Sequence, residues 1–309
     1  MTTACGKVIL LGEHAVVYGV PALAVGIDRG AQASASPLES GPSRLAVTTW
    51  GIHVASDGDK DLSRALAALV EASGVGPHRI EASADLPAGA GLGCSAALGV
   101  AIARALDPLA DDHTIINRTM SWERVFHGNP SGVDASVAAT GAAILFQKGQ
   151  GFERIHLKAP LSLCIGHSGM ASSTRAMVEL VLQHKERRPE IVRKTFEGIR
   201  ALVGNAHRAI EAGDLAGLGK LLDLGQMLLA GLLLSTQEIE QLCDLARTTG
   251  AYGAKLTGAG GGGSVVALVP GRTVGDRVLE AWKSAGYEGF QAEVRPARTS
   301  VRPRAEVAG

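Results

Sequence analysis

The chain has 309 residues, 46% of them hydrophobic, and a formal net charge of zero. It can hold one large domain or two ordinary ones around a substantial core, and it is too apolar to be a disordered chain. Zero net charge removes the basic field that nucleic acid or an anionic membrane would need, and 4% aromatics give few stacking platforms for single strands. Any polyanion it binds must be small and locally held. The four cysteines Cys5, Cys94, Cys164 and Cys243 are widely spaced, with no C-x-x-C pair, which suits a reducing cytosol rather than a disulfide frame or a zinc cluster. With no signal pattern and no apolar run near about 18 residues, a cytoplasmic protein without a membrane span is expected.

Residues 7–11 (KVILL) read as a buried strand. Gly12, Glu13 and His14 follow, and then a second apolar run over 15–18. Polar groups between apolar runs need partners. They form either a loop with a satisfied Glu and His, or a pocket wall in which Lys7, Glu13 and His14 face a polar ligand. Residues 21–27, 31–36 and 44–50 read as strands, with a Ser-, Pro- and Gly-rich turn over 36–43. Residues 61–71 form an amphipathic helix, with Leu62, Ala65, Leu66, Leu69 and Val70 as its stripe and Asp61 at the favourable end of its dipole.

A strand over 80–86 leads into G-A-G-L-G at 89–93. A helix follows, its face marked by Leu98, Ala101, Ile102, Ala105 and Leu106. Glycines let the backbone turn successive N–H groups to one side, and the first helical turn adds unpaired donors. Strand, glycine loop and helix together make an anion site, with phosphate as the natural occupant. The loop is neither G-x-x-x-x-G-K-[ST] nor G-x-G-x-x-G, so on its own it also fits a turn that binds nothing.

The segment 121–139 reads SWERVFHGNPSGVDASVAA. Residues 122–127 are helix-like, 128–132 are strong turn chemistry, and a new helix at 133–139 places Asp134 in its first turn. An acid there either only complements the dipole or does chemistry. After a strand at 142–146, glycine and charge gather over 148–158. This divides the chain into residues 1–150 and 151–309. The second part reads as a strand at 161–167, a small-residue turn at 169–174 and helices near 175–185, 190–212, 214–231 and 235–248. KLTGAGGGGS at 255–264 leads into a strand at 265–269, then a helix at 272–285, a strand at 288–295 and a loose tail at 296–309. A run of four glycines is entropically costly, so it must lie against something or stay mobile.

Three segments carry a resemblance: KVILLGEHAVVYGVPALAVGI, then PAGAGLGCSAA with ERVFHGNPSGVDASVA, and KLTGAGGGGS. Together they resemble the three motifs of the GHMP kinase superfamily over nearly the whole chain. K-V-I-L-x-G-E-H-A-V-V-Y-G and E-R-x-F-H-G-N-P-S-G-V-D are most similar to its mevalonate kinase branch. The resemblance implies an α+β, two-domain GHMP kinase fold, with an N-terminal half like ribosomal S5 domain 2 and a ferredoxin-like C-terminal half. The active site would lie in the cleft between them. It implies ATP and Mg²⁺ as cofactors and mevalonate as substrate, phosphorylated at its C5 hydroxyl. Pro87, Gly89, Ala90, Gly91, Leu92, Gly93, Cys94 and Ser95 would wrap the ATP phosphates, with Gly260 and Gly261 closing from the second half. Ser95 and Glu123 would ligate Mg²⁺. Asp134 would be the catalytic base with Lys7 beside it, and Glu13, His14 and Thr174 would face the substrate. Relatives often pair as homodimers, so a homodimer is an expectation of the resemblance alone.

Physical chemistry is compatible with these roles. Phosphoryl transfer asks for positioning, metal and charge neutralisation. Mg²⁺ keeps water and phosphate ligands and needs few protein oxygens. A carboxylate within reach can take the proton of an alcohol, or only orient it, and a neighbouring lysine favours the charged carboxylate. Two departures stand out: Cys94-Ser95 where many relatives have Ser-Ser, and a short connection between Leu106 and Ser121. Other readings are phosphomevalonate or homoserine kinase, the ATP-dependent diphosphomevalonate decarboxylase, and a non-catalytic nucleotide binder. The absence of Arg or Lys in 12–19 weighs against a phosphorylated substrate. The Glu123 motif weighs against the decarboxylase. The joint presence of Lys7, Glu123 and Asp134 weighs against the binder.

Overall fold

The computed structural model describes residues 1–87 and 89–295; the expected tail at 296–309 lies outside the described residues. Two sheets form, each backed by helices. The first has seven strands: β1 (Thr2–Leu11), β2 (Ala22–Pro37), β3 (Arg44–Val47), β4 (Ile52–Ala55), β5 (His78–Ala84), β6 (Ile144–Gln147) and β7 (Gly151–Arg154). Its order is β4-β3-β5-β2-β6-β7, with β1 paired along the other side of β2. The two runs expected at 21–27 and 31–36 are one strand, because β1 pairs antiparallel with β2 from Thr2↔Ala33 to Leu11↔Leu23, absorbing irregularities at Cys5/Gly6 and Ile9/Leu11. The run expected at 44–50 ends at Val47 and passes into a short 3₁₀ turn. The short strands β4 and β7 carry few buried residues, so alternation did not mark them.

Helices α1 (Asp61–Ser73), α2 (Cys94–Leu106), α3 (Asp112–His127) and α4 (Val133–Thr140) cover this sheet. Helix α3 is a correction: the helix expected at 122–127 begins ten residues earlier, capped by Asp111, whose side chain accepts from Thr114 N at 2.8 Å. Its buried stripe is Ile115, Ile116, Thr119, Trp122 and Glu123. Two of these five are polar, which hides the helical period.

The second sheet has the order β11-β8-β10-β9, all antiparallel, from β8 (Leu161–His167), β9 (Gly253–Thr257), β10 (Ser264–Val269) and β11 (Glu288–Val294). Helices α5 (Thr174–Arg187), α6 (Pro189–Ala212), α7 (Leu215–Gly231), α8 (Gln237–Thr248) and α9 (Arg272–Ser284) accompany it. β9 is unforeseen because Lys255 interrupts its apolar character, although all five of its residues are buried. One extended apolar core runs through both halves. β9 joins them directly: Thr257 Oγ1 accepts from Ile9 N at 3.0 Å and donates to Ile9 O at 3.2 Å. At the far side, the Arg29 guanidinium lies 4.0 Å from the Phe290 ring centroid, a cation–π contact between β2 and β11.

Candidate active site

The phosphate-loop candidate forms as the glycine spacing requires. Gly89, Gly91 and Gly93 have φ of 72°, 77° and 71°, in the left-handed region closed to most side chains. Space matters as much as conformation. A Cβ on Gly91 would lie 2.9 Å from Thr257 O, and one on Gly93 would lie 3.2 Å from Lys7 Cβ. The loop can therefore approach both β9 and the lysine stem only as glycine. Lys7 N donates to Leu92 O at 2.8 Å, tying the loop to β1. Helix α2 starts at Cys94 with no side-chain cap, so its first-turn N–H groups remain suited to an anion.

These elements line a cleft with a cavity volume of about 520 Å³. Lys7, Glu13, His14, Gly89, Ala90, Gly91, Leu92, Gly93, Cys94, Ser95, Glu123, Asp134, Thr174 and Gly260 all reach it. Two of the expected contributors do not. Pro87 is exposed and outside the lining. Gly261 is also outside it: its N–H donates to Leu234 O at 2.7 Å, and a Cβ there would meet Met177 Sδ at 2.5 Å. The glycine run lies against structure. Gly258 approaches the Gly91 backbone, and Gly262 packs on Met170. Cys94 contributes to the wall, but its thiol is turned toward Leu86 O at 3.7 Å and burial pushes it up to about 11. It is thus an inert thiol.

At one point of the cleft Lys7 Nζ lies 2.6 Å from Asp134 Oδ1. The same ammonium also donates to Gly91 O at 3.2 Å. Asp134 stands in the first turn of α4 after Gly132, at φ 94°. At a second point Ser95 Oγ donates to Glu123 Oε1 at 2.6 Å. Glu123 is buried, and its other oxygen is 3.7 Å from His127 Nε2. Burial is the main cause raising its carboxyl to about 7, Asp134 adding to the rise while Ser95 and Lys7 oppose it. Burial also holds His127 below its ordinary value, which leaves that buried carboxylate short of positive charge. A hydroxyl and a carboxylate of this kind fit a hard divalent cation that takes its other ligands from water and phosphate.

Glu13 and His14 are both buried, and each is held by the second half. Glu13 Oε1 accepts a short hydrogen bond from Lys255 Nζ, while Glu13 Oε2 is buried without a partner among the described residues. His14 sits at φ 58°, ψ −49°, strained for a side chain of its shape. Its Nε2 donates to Ala259 O at 2.7 Å. Burial lowers its pKa, so the neutral ring carries its proton on Nε2 and offers Nδ1 as an acceptor. Sequence reasoning missed Lys255 as the partner of Glu13, and Arg175 and His127 as wall residues. Arg175 directly follows Thr174 in the small-residue turn, and that turn was the signal available for it.

Comparisons with known proteins place the chain as a whole. The GHMP kinases N terminal domain family matches residues 61–142, and the GHMP kinases C terminal family matches 206–288. A mevalonate kinase of Pyrococcus abyssi is 33% identical, over 93% of this chain and 92% of the relative. One of Pyrococcus horikoshii is 34% identical, over 98% and 97%. Among solved structures, L. major mevalonate kinase in complex with R-mevalonate superposes with a TM-score of 0.83 at 27% identity, covering 96% of each chain. Sequence similarity across nearly the full length, two matched domains and a shared fold place the chain in the mevalonate kinase family of the GHMP kinases.

Proposed function

We propose that the chain transfers the γ-phosphoryl group of ATP to the C5 hydroxyl of mevalonate, giving 5-phosphomevalonate for isoprenoid biosynthesis. The observation that carries this reading is the opening of two polar pairs, Lys7–Asp134 and Ser95–Glu123, on one cleft beside the uncapped start of α2. In this reading the loop 89–93 and the first turn of α2 hold the triphosphate by backbone N–H groups. Asp134 accepts the hydroxyl proton as the bond to phosphorus forms, and Lys7 offsets the negative charge passing beside it. Ser95 and Glu123 would hold Mg²⁺, which supplies neutralisation of phosphate charge when bound. Glu13 and His14 Nδ1 are the acceptors for substrate hydroxyls, and Thr174 lines the same cleft.

Residues 1–150 supply the phosphate loop and the base, and 151–309 supply the glycine-rich cover. The pairing of β7 with β6 supports a boundary a few residues later. A cytoplasmic location accompanies the reading; among the described residues no helix is long and apolar enough to cross a membrane. A homodimer also accompanies it, testable by a solution mass of twice the chain.

The cationic side chains on the described wall are Lys7, engaged with Asp134, and Arg175. One guanidinium suits the single carboxylate of mevalonate. A substrate bearing a phosphate as well would call for more, which disfavours the phosphomevalonate kinase reading. The test is ADP release with Mg²⁺ and ATP across mevalonate, phosphomevalonate, homoserine and galactose. Turnover that follows mevalonate supports the reading; turnover that follows another of the four replaces it.

A further inference from the structure

Ser95 is gripped by two successive residues of α3. Glu123 Oε1 accepts the hydrogen bond of its hydroxyl, and the indole Nε1–H of Trp122 is shared between Ser95 O at 3.1 Å and Ser95 Oγ at 3.2 Å. Trp122 is fully buried and does not line the cleft. Its seat is made by a missing side chain: a Cβ on Gly99 would lie 2.8 Å from Trp122 Cδ1. The Phe126 ring packs against it with centroids 5.6 Å apart. A packing role would be filled by any large apolar ring; only the indole brings a donor to this hydroxyl.

A serine hydroxyl has one proton and two lone pairs. In this arrangement the proton goes to Glu123 and one lone pair to Trp122, which leaves a single lone pair for the cleft that Ser95 lines. We propose that Trp122 is a positioning residue for cation binding: its indole N–H fixes the rotamer and lone-pair direction of Ser95, so that the hydroxyl is set as a ligand before the metal–nucleotide complex arrives. This rests on the reading of Ser95 and Glu123 as the cation pair. It adds a residue that never touches the metal, the nucleotide or the alcohol.

The test uses the full chain with Mn²⁺ as the metal probe and ADP as the nucleotide. Free Mn²⁺ is counted by electron paramagnetic resonance. Trp122→Phe keeps the ring and removes the donor. The proposal expects Mn²⁺ affinity in the ADP-saturated protein to fall about threefold to tenfold, the worth of one neutral hydrogen bond, with ADP affinity in chelator unchanged. Unchanged Mn²⁺ affinity in Trp122→Phe, with a loss in Ser95→Ala, overturns the proposal and leaves the cation pair standing. Unchanged affinity in both overturns the cation pair itself. A second measurement needs no change at Trp122. The chain has three tryptophans, and their indole N–H resonances are assigned by Trp50→Phe and Trp282→Phe. Adding Mg²⁺ to the ADP-bound protein should move the Trp122 signal. The Trp282 signal, whose N–H donates to Leu242 O at 2.9 Å in the other half, should stay in place. A Trp122 signal that stays put also refutes the proposal.

Discussion

Glu13 and Lys255, 242 positions apart in the chain, form a buried ion pair across the join of the two halves. Burial pushes the Glu13 carboxyl up and the Lys255 ammonium down, against their mutual attraction. The lysine is held from behind. Leu256 N donates to Gln226 Oε1 at 2.8 Å, and Ala254 N donates to Asp223 Oδ1 at 2.9 Å, so α7 fixes the strand on both sides of it. The pair therefore fixes the carboxylate of Glu13, a residue of the cleft lining.

Lys255→Met leaves a buried carboxylate without compensation. The expected loss is about 3–5 kcal/mol in urea unfolding, and Glu13→Gln combined with Lys255→Met should recover most of it. A loss below about 1 kcal/mol for the single change would mean that the pair is effectively solvated.

Asp134→Asn keeps the shape at the start of α4 and removes the proton acceptor. Turnover should fall by at least about a hundredfold while ATP affinity, read by calorimetry, changes little. Unchanged turnover would remove Asp134 from the mechanism.

Ser95→Ala deletes one cation ligand and leaves the backbone of α2. The Mg²⁺ concentration for half-maximal activity should rise about tenfold or more, with a smaller effect at saturating metal. An unaltered metal titration would count against Ser95 as ligand.

The raised carboxyl of Glu123 fixes the sign of a pH effect. Its folded-state value of about 7 lies above the ordinary 4.5, so between these limits the folded protein binds more protons than the unfolded one. Stability of the metal-free protein should therefore fall as pH rises from about 4.5 to 7, by an amount on the order of 3 kcal/mol from this group. Glu123→Gln should flatten that part of the urea-unfolding profile. Equal slopes in both proteins would place the proton elsewhere.

Gly91→Ala puts a methyl group 2.9 Å from Thr257 O at a φ of 77°. It should destabilise the fold by about 1–3 kcal/mol and raise the KM for ATP more than it lowers kcat. A thermally neutral variant with normal ATP affinity would show that the two glycine loops are not packed in solution.

Local pattern was enough to read β8 at 161–167, α4, α6 and the strand–loop–helix around 89–93, because each has a period or a turn chemistry written in neighbouring residues. Lys7 and Asp134 stood out from their local setting, whereas Ser95 and Glu123 were picked out only by the resemblance to the GHMP kinase motifs. Residue types and the motifs around them are local facts. What the tertiary structure decided is which of them meet. Lys7 reaches Asp134 because α4 packs against β1. Glu13 finds its counter-ion on β9. Trp122 finds Ser95 through the space left by Gly99, and Gly261 spends its N–H on Leu234. Such pairings depend on long-range packing and on where buried polar groups must be satisfied, and no periodicity along the chain records them.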